Sequence, residues 1–189
     1  MSIKLIKIFL LIYLCSVTIA KIELSLDLSK ESRVVINWKD SRQKERLYYL
    51  IEIFESSNDD ALHSQKINHG QTELTYDKLI PGGDYRLEFE AKDIFEGKFK
   101  KIVKNLIAKP RPPQSLTQQH CGEYCIKVNW IEPKEPAIWD IYKAKINHSF
   151  WSSTQLLGSH SNTAVFYSLN PGQIYSISVE TLVIKSNIE

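Results

Sequence analysis

Two cysteines four residues apart, Cys121 and Cys125, follow His120 and form the most reactive group in the sequence. A cysteine that attacks a phosphate ester from a His-Cys loop needs an arginine six residues later and a helix N-terminus that cradles the phosphate. Lys127 stands at that position, and an alternating apolar segment follows it. A metal site built on these side chains would need a second ligand pair at a suitable spacing, and the sequence lacks one. We therefore expect a disulfide between Cys121 and Cys125.

The other polar residues form no recognisable catalytic or ligand-binding pattern. The five histidines are scattered, and no Gly-x-Ser-x-Gly, His-Glu-x-x-His or Gly-rich phosphate loop occurs. Asp59 and Asp60 lie in a polar loop, where solvated turn residues are more common than calcium ligands. We expect no catalytic, cofactor-binding or metal-binding residue, no small-molecule substrate and no enzyme activity in this chain.

Residues 1–20 have the pattern of a secretory signal peptide. Lys4 and Lys7 precede an uncharged apolar core at 8–15, and small residues at Thr18 and Ala20 suit cleavage after Ala20. The core is too short to span a bilayer. We therefore expect Lys21 to be the mature N-terminus and the protein to enter the secretory pathway, reaching the extracellular space or the cell surface.

Removal of this leader changes both the charge and the cysteine count. Its two lysines account for the excess of 24 Lys and Arg over 22 Asp and Glu, so the mature chain is balanced. This balance does not indicate nucleic acid or an anionic lipid surface as a partner. An even number of cysteines, Cys121 and Cys125, remains in an oxidising compartment, which favours the disulfide.

The elements that carry these residues come from an internal repeat. The segment Leu-x-Pro-Gly-x-x-Tyr ends at Tyr85 and again at Tyr175, and each copy is followed by alternating apolar residues. Pro-Gly favours a tight turn, and the alternation predicts a strand with one buried face. The alternating segments that end at Trp38 and Trp130 are spaced in step with these turns. The repeat predicts two β-sandwiches, in which each Tyr hydroxyl binds back to its turn.

Each unit resembles a fibronectin type III domain, because a Trp ends the second strand, a Tyr begins the third and Leu-x-Pro-Gly-x-x-Tyr precedes the sixth. The resemblance implies an all-β fold of two tandem sandwiches. It places the first domain at 21–108, a Pro-rich linker at 109–113 and the second domain at 114–189. The residues expected in the two cores are Trp38, Tyr85, Trp130 and Tyr175.

The second unit is expected to lack its last strand. When the repeats are aligned on Tyr85 and Tyr175, Glu189 falls opposite Phe99, where the last strand of the first unit is still to come. An uncovered strand edge is prone to aggregation, so we expect the chain to be a piece of a longer receptor.

Three surface features suggest interactions. Asn147-His148-Ser149 is the only Asn-x-Ser/Thr sequon, and Asn147 is expected to carry a glycan in a secreted chain. Phe150 and Trp151 follow a strand, and either contact a partner or, as we favour, pack on their own sheet. Basic residues crowd the end of the first unit at Lys98, Lys100, Lys101, Lys104, Lys109 and Arg111. A lysine-guarded edge strand explains them better than a glycosaminoglycan site.

The sequence therefore predicts an extracellular protein-binding or adhesion module pair from a cell-surface receptor ectodomain. Two alternatives stay open. A leader that runs directly into such units is similar to the ectodomains of receptor-type tyrosine phosphatases built only from fibronectin type III repeats, whose missing part would dephosphorylate phosphotyrosine. The units could instead be spacers in a secreted matrix protein. Fold alone does not separate these functions.

Overall fold

The computed structural model describes residues 21–41, 47–95 and 99–185, with backbone only for Phe99. The predicted leader, residues 1–20, and Lys98 of the basic cluster lie outside these ranges. All regular elements in the described ranges are β-strands, and every strand pair is antiparallel. No helix in these ranges is long and apolar enough to cross a membrane.

The first sandwich consists of seven strands in two sheets. These strands are β1 (Ile22–Asp27), β2 (Val34–Asp40), β3 (Leu47–Glu55), β4 (Ala61–Asn68), β5 (Glu73–Tyr76), β6 (Asp84–Asp93) and β7 (Phe99–Ile107). The smaller sheet has the order β1-β2-β5, and the larger has the order β4-β3-β6-β7. This strand order requires connections that cross between the two sheets, as in the immunoglobulin-like sandwiches.

The second sandwich repeats this arrangement with six strands. They are β8 (Gln114–Gln119), β9 (Ile126–Ile131), β10 (Ile141–His148), β11 (Trp151–Gly158), β12 (Thr163–Phe166) and β13 (Ser176–Leu182). One sheet has the order β12-β9-β8 and the other β11-β10-β13. The all-β fold of two tandem sandwiches predicted from the sequence is therefore confirmed.

Alternation of apolar residues builds each core around a tryptophan. Val34, Ile36 and Trp38 of β2 are all buried, and the Trp38 ring lies 5.5 Å from the rings of Tyr49 and Phe89. In the second sandwich Trp130 is buried and its ring lies 5.2 Å from that of Tyr142. Burial raises the pKa of the Tyr142 hydroxyl, and the nearby Glu132 carboxylate adds to this rise. Both tryptophans lie where the sequence predicted them.

Both Leu-x-Pro-Gly-x-x-Tyr turns form a tyrosine corner. The backbone N–H of Ile80 donates to the Tyr85 hydroxyl over 2.7 Å, and that of Asn170 donates to the Tyr175 hydroxyl over 2.9 Å. Tyr85 is buried, but Tyr175 is only half-buried, so the prediction of a core position for Tyr175 is wrong in part. A Cβ at Gly83 would lie 2.7 Å from the Tyr85 hydroxyl. The second turn has Gln173 at this position, so its tyrosine cannot fold over the turn as closely.

The two sandwiches differ most at the strand that follows the corner. Strand β6 pairs with β3 on one side and with β7 on the other. Strand β13 pairs with β10 alone, and no other strand within the described ranges lies beside it. The described part of the second sandwich thus has no counterpart of β7, in agreement with the sequence alignment of the repeats.

Strand β7 is the edge of its sheet and carries three of the basic residues. Lys101 lies 2.7 Å from the Glu88 carboxylate, and this hydrogen bond raises the pKa of Lys101. Lys100 and Lys104 also lie on this strand. The location at a sheet edge agrees with the edge-strand interpretation, because lysines oppose pairing with another chain.

The tyrosine corners give a direct stability test. Replacing Tyr85 with Phe leaves the Ile80 N–H without its acceptor in a partly buried turn and is expected to lower the free energy of unfolding by about 1–2 kcal/mol. Tyr175→Phe is expected to cost less, under about 1 kcal/mol, because water can reach the more exposed second corner. Urea unfolding followed by NMR signals of each sandwich measures both effects. Equal losses would contradict the difference in burial.

Candidate functional site

The linker between the sandwiches is bound on both sides through Arg111. Its Nε donates to Glu31 Oε2 over 2.9 Å, and its Nη1 donates to the Lys134 carbonyl oxygen over 2.6 Å. The Arg111 carbonyl oxygen accepts a 2.7 Å hydrogen bond from the Thr181 hydroxyl. The flanking Pro residues also favour an extended backbone. One residue therefore connects the linker to a loop of the first sandwich and to two segments of the second.

The turn before Tyr85 contacts the second sandwich directly. The backbone N–H of Ile138, in the loop between β9 and β10, donates to the Pro81 carbonyl oxygen over 2.8 Å. Gly82 has φ +80°, and a Cβ there would overlap the Ile138 carbonyl oxygen. Lys185 adds an ion pair to Asp84 at 3.6 Å. The close approach of two backbones explains why this position needs a glycine.

In the corresponding turn of the second sandwich, no described residue packs against the glycine. Gly172 has nearly the same backbone conformation as Gly82, φ +75°, but a Cβ there would meet no atom within 4 Å. The same end of the second sandwich carries five large exposed hydrophobic side chains: Tyr124 (61% exposed), Phe150 (94%), Trp151 (40%), Tyr167 (71%) and Ile174 (90%). We call these five residues the end surface. The equivalent end of the first sandwich is the one that contacts the second sandwich.

One half of the end surface is assembled around His148. Its ring centroid lies 6.5 Å from that of Phe150, 6.4 Å from that of Trp151 and 5.3 Å from that of Tyr175. His148 and Trp151 are paired across β10 and β11, so only two residues form the turn that displays Phe150. The hairpin thus presents Phe150 to solvent while Trp151 rests beside Tyr175, at a centroid distance of 5.9 Å.

The other half is formed by the loop between β8 and β9. Cys121 and Cys125 are joined by a disulfide with a Cα–Cα distance of 5.7 Å, in agreement with the sequence prediction. The Tyr124 carbonyl oxygen accepts a 3.0 Å hydrogen bond from the Leu169 N–H, which ties this loop to the Pro-Gly turn. A shallow depression of about 570 Å³ lies between the disulfide loop and residues 167–170. The disulfide uses both thiols, so neither is a nucleophile or a metal ligand while it is intact.

The sequence left two interpretations open for Phe150 and Trp151, contact with a partner or packing on their own sheet, and the two residues differ in outcome. Phe150 is almost fully exposed, so the favoured prediction that it packs on its own sheet is wrong. A two-residue turn directs its side chain away from both sheets. Trp151 does pack, against His148 and Tyr175, and keeps part of its surface exposed.

Sequence reasoning missed Tyr124, Tyr167 and Ile174. Each is an apolar side chain in a turn or loop, and single exposed hydrophobic residues are common enough to carry no signal alone. The available signal was the comparison of the repeats, since Ile174 stands opposite Asp84 and so replaces a charge with an apolar side chain.

Asn147 lies on β10, half-buried, and is paired with Ser152 on β11 and Ser176 on β13. Alternation along β10 puts its side chain on the opposite face from His148 and from the buried Ile146. A glycan at Asn147 would therefore leave from the solvent face of the sheet. Within the described ranges, no group of three or more His, Cys, Asp or Glu side chains is placed to hold a metal ion.

Comparisons with known proteins identify the fold. A two-domain fibronectin type III segment of chicken tenascin superposes with a TM-score of 0.55 at 15% sequence identity, covering 87% of this chain and 91% of the segment. The FN1-FN3 domains of chicken CNTN1 match with a TM-score of 0.39 at 12% identity, covering 85% of this chain and 60% of that structure. No protein-family model matches the sequence, and no curated protein matches it. The chain therefore has the fold of a tandem pair of fibronectin type III domains.

Gly82 and Gly172 form a matched pair for testing the contact between the sandwiches. Alanine at either position carries a similar cost of about 1–2 kcal/mol for its positive φ, but only Gly82→Ala also collides with the neighbouring sandwich. Gly82→Ala is therefore expected to separate the two sandwiches. The distribution of distances between two spin labels, one in each sandwich, should broaden in Gly82→Ala and stay unchanged in Gly172→Ala. Equal broadening in both would contradict a role for the Gly82 contact.

Proposed function

We propose that this chain is an extracellular protein-binding pair of domains from a cell-surface receptor ectodomain, and that it recognises a protein partner through the end surface. Domains of this fold typically mediate protein–protein interactions and are not catalytic. The observation that carries the proposal is the concentration of five large exposed hydrophobic side chains at one end of the second sandwich. On soluble proteins, large exposed apolar patches mark interaction sites more often than inert surface.

The chemistry of the end surface favours a protein over a small ligand. Aromatic side chains provide most of the binding energy in protein interfaces, because they bury a large area with few rotatable bonds. Phe150 and Ile174 project from two different turns and are almost completely exposed. The depression beside the disulfide is shallow and open, which does not suit the enclosed pocket of a small molecule.

The junction supports a second part of the proposal, which is that the pair holds the end surface at a defined distance and angle. Arg111, the Pro81–Ile138 hydrogen bond and the bare Gly82 all restrict the same junction. A restricted junction lowers the conformational entropy that binding would otherwise remove. A glycosaminoglycan partner is not proposed, because Lys101 of the basic strand is already paired with Glu88.

Two further identities are candidates for the full-length protein. A leader that precedes these domains directly favours a receptor-type tyrosine phosphatase, whose catalytic part would lie in sequence beyond these 189 residues. A matrix spacer is the alternative if the junction sets length alone. Reading the transcript separates them: a membrane span followed by a His-Cys-x-x-x-x-x-Arg domain selects the phosphatase, and further repeats without a span select the matrix protein.

The proposed surface can be tested with a panel of extracellular proteins displayed on cells, probed with the mature chain in multimeric form. Changing both Phe150 and Ile174 to Ser is expected to weaken binding to any partner found by about tenfold or more, because two exposed apolar anchors are lost. The matched control is Phe95→Ser, since Phe95 is 78% exposed on the first sandwich. Equal binding by the double variant and the unchanged chain would exclude the end surface.

The secretory route makes a separate prediction. Expression of residues 1–189 in a eukaryotic host is expected to release a chain that begins at Lys21 and carries a glycan at Asn147. N-terminal sequencing and the loss of mass on peptide-N-glycosidase treatment measure the two features, and Asn147→Gln is the control for the glycan. A secreted product that begins at Met1, or one with no change in mass, would contradict the corresponding part.

A further inference from the structure

The edge strand β11 of the second sandwich offers a further interaction surface, at its end remote from Trp151. It pairs with β10 from Trp151 to Gly158 without a shift in register, and no described strand lies on its other side. The first sandwich has all seven strands, and its equivalent strand β4 is also the end of its sheet. A strand that followed β13 would cover the opposite side of the sheet, as β7 covers β6. The outer edge of β11 therefore does not depend on where the chain ends.

The two sandwiches carry the same cross-strand pair at this edge, in opposite orientation. In the first sandwich Leu50 of the inner strand β3 lies opposite Lys66 of the edge strand β4. When the sandwiches are aligned on the tyrosines that pack against the core tryptophans, the equivalent pair is Lys143 of β10 opposite Leu156 of β11. Lysines on edge strands oppose pairing with another chain. The first sandwich thus guards this edge with Lys66, and the second presents Leu156 there instead.

Strand β11 has the features of an edge that accepts another strand. Leu156 is 65% exposed on the solvent face of the sheet, while its neighbour Leu157 packs against the core. The strand contains no charged residue and no proline, and it lacks the bulge that interrupts the pairing of β4 with β3. The Gln155 side chain donates to the Val165 carbonyl oxygen of the facing sheet over 2.8 Å. This bond holds β11 in place and leaves its outer backbone groups available for pairing.

We propose that β11 pairs with β11 of a second copy of this chain, antiparallel and centred on Leu156. In this register Leu156 lies opposite Leu156 of the other copy, and Thr154 lies opposite Gly158. The two exposed leucines cover each other at the two-fold axis, and no charged side chains of the paired strands meet. The same segment forms both halves of the contact, as an interface with two-fold symmetry requires. The pairing joins the two sheets edge to edge into one.

The chemistry of this edge favours a second copy over a strand of another protein. Any strand could pair with the backbone groups, but a second copy also brings an apolar residue to Leu156 by symmetry. Ser152, nearer the start of β11, lies beside Asn147, whose predicted glycan would leave from this same face. Centring on Leu156 keeps that glycan about four residues, or ~13 Å, from the axis. The two copies of Lys143 lie about three strand spacings apart, or ~14 Å, where salt screens their repulsion.

The inverted pair provides a variant of unchanged composition that closes this edge. Exchanging the two residues, Lys143→Leu with Leu156→Lys, recreates the pair of the first sandwich and places two lysines at the axis. The dimer dissociation constant is expected to rise about tenfold or more, because an apolar contact is lost and like charges meet. The matched control is Lys143→Leu alone, which keeps Leu156 and is expected to change the constant less than about threefold. Sedimentation equilibrium of the mature chain from micromolar to millimolar concentration measures all three.

Thiol cross-linking tests the register separately from the strength of association. Leu156→Cys and Thr154→Cys each place a thiol at an exposed position on the solvent face of β11. In the proposed dimer the Cα atoms of the two copies of position 156 lie about 5 Å apart, within the range of a disulfide. Those of position 154 lie about 13 Å apart, outside that range. Oxidation is expected to cross-link the Leu156→Cys dimer and not the Thr154→Cys dimer.

An unchanged chain that stays monomeric up to millimolar concentration would overturn the proposal, as would an exchange variant that dimerises as tightly as the unchanged chain. Cross-linking through position 154 alone, or equally through both positions, would assign the contact to another register or surface. A monomer whose β11 amides become protected only when an extended segment of another protein is added would assign the edge to that protein. These results are independent of the end surface, because the Phe150 and Ile174 double variant leaves β11 unchanged and is expected to dimerise normally.

Discussion

The turn from Leu79 to Tyr85 positions both the core of the first sandwich and its junction with the second. The hydrogen bond from the Ile80 N–H to the Tyr85 hydroxyl closes this turn, and backbone hydrogen bonds to Ser32 and Ala108 hold it in place. The bond holds the chain at the corner where it enters β6, the strand on which β3 and β7 both pair. It also leaves the Pro81 carbonyl oxygen and the bare Gly82 backbone directed at the second sandwich. A local contact between residues five apart thus organises both the core of one sandwich and its junction with the next.

The second sandwich uses the same turn with a different outcome. The hydrogen bond to Tyr175 is present, and Gly172 has the same left-handed conformation, but no described atom lies within 4 Å of a Cβ built at Gly172. The surrounding side chains have changed accordingly, since Ile174 replaces the charged Asp84 and an aromatic hairpin turn carries Phe150. The end that forms the interdomain contact in one repeat is therefore exposed, within the described residues, in the other.

Sequence patterns predicted the parts of this structure that depend on local geometry and burial. Alternation located the strands around Trp38 and Trp130, and the Pro-Gly-x-x-Tyr spacing located the tyrosine corners, because each pattern is imposed by neighbouring residues on one strand or turn. The burial of Tyr175 could not be predicted in the same way, since it depends on whether position 173 carries a side chain and on whether a strand covers the outer edge of β13. The exposure of Phe150 depends on the length of the hairpin turn, and a shift of one residue in register would reverse it.

The contacts of Arg111 show why the arrangement of the two sandwiches could not be predicted from the sequence. The Pro-rich linker predicted a restricted junction, but the partners of Arg111 come from Glu31, Lys134 and Thr181, which are far apart in the chain. Each of these contacts is partly exposed and individually weak, so no single one leaves a strong pattern in the sequence. Their shared location is what restricts the junction.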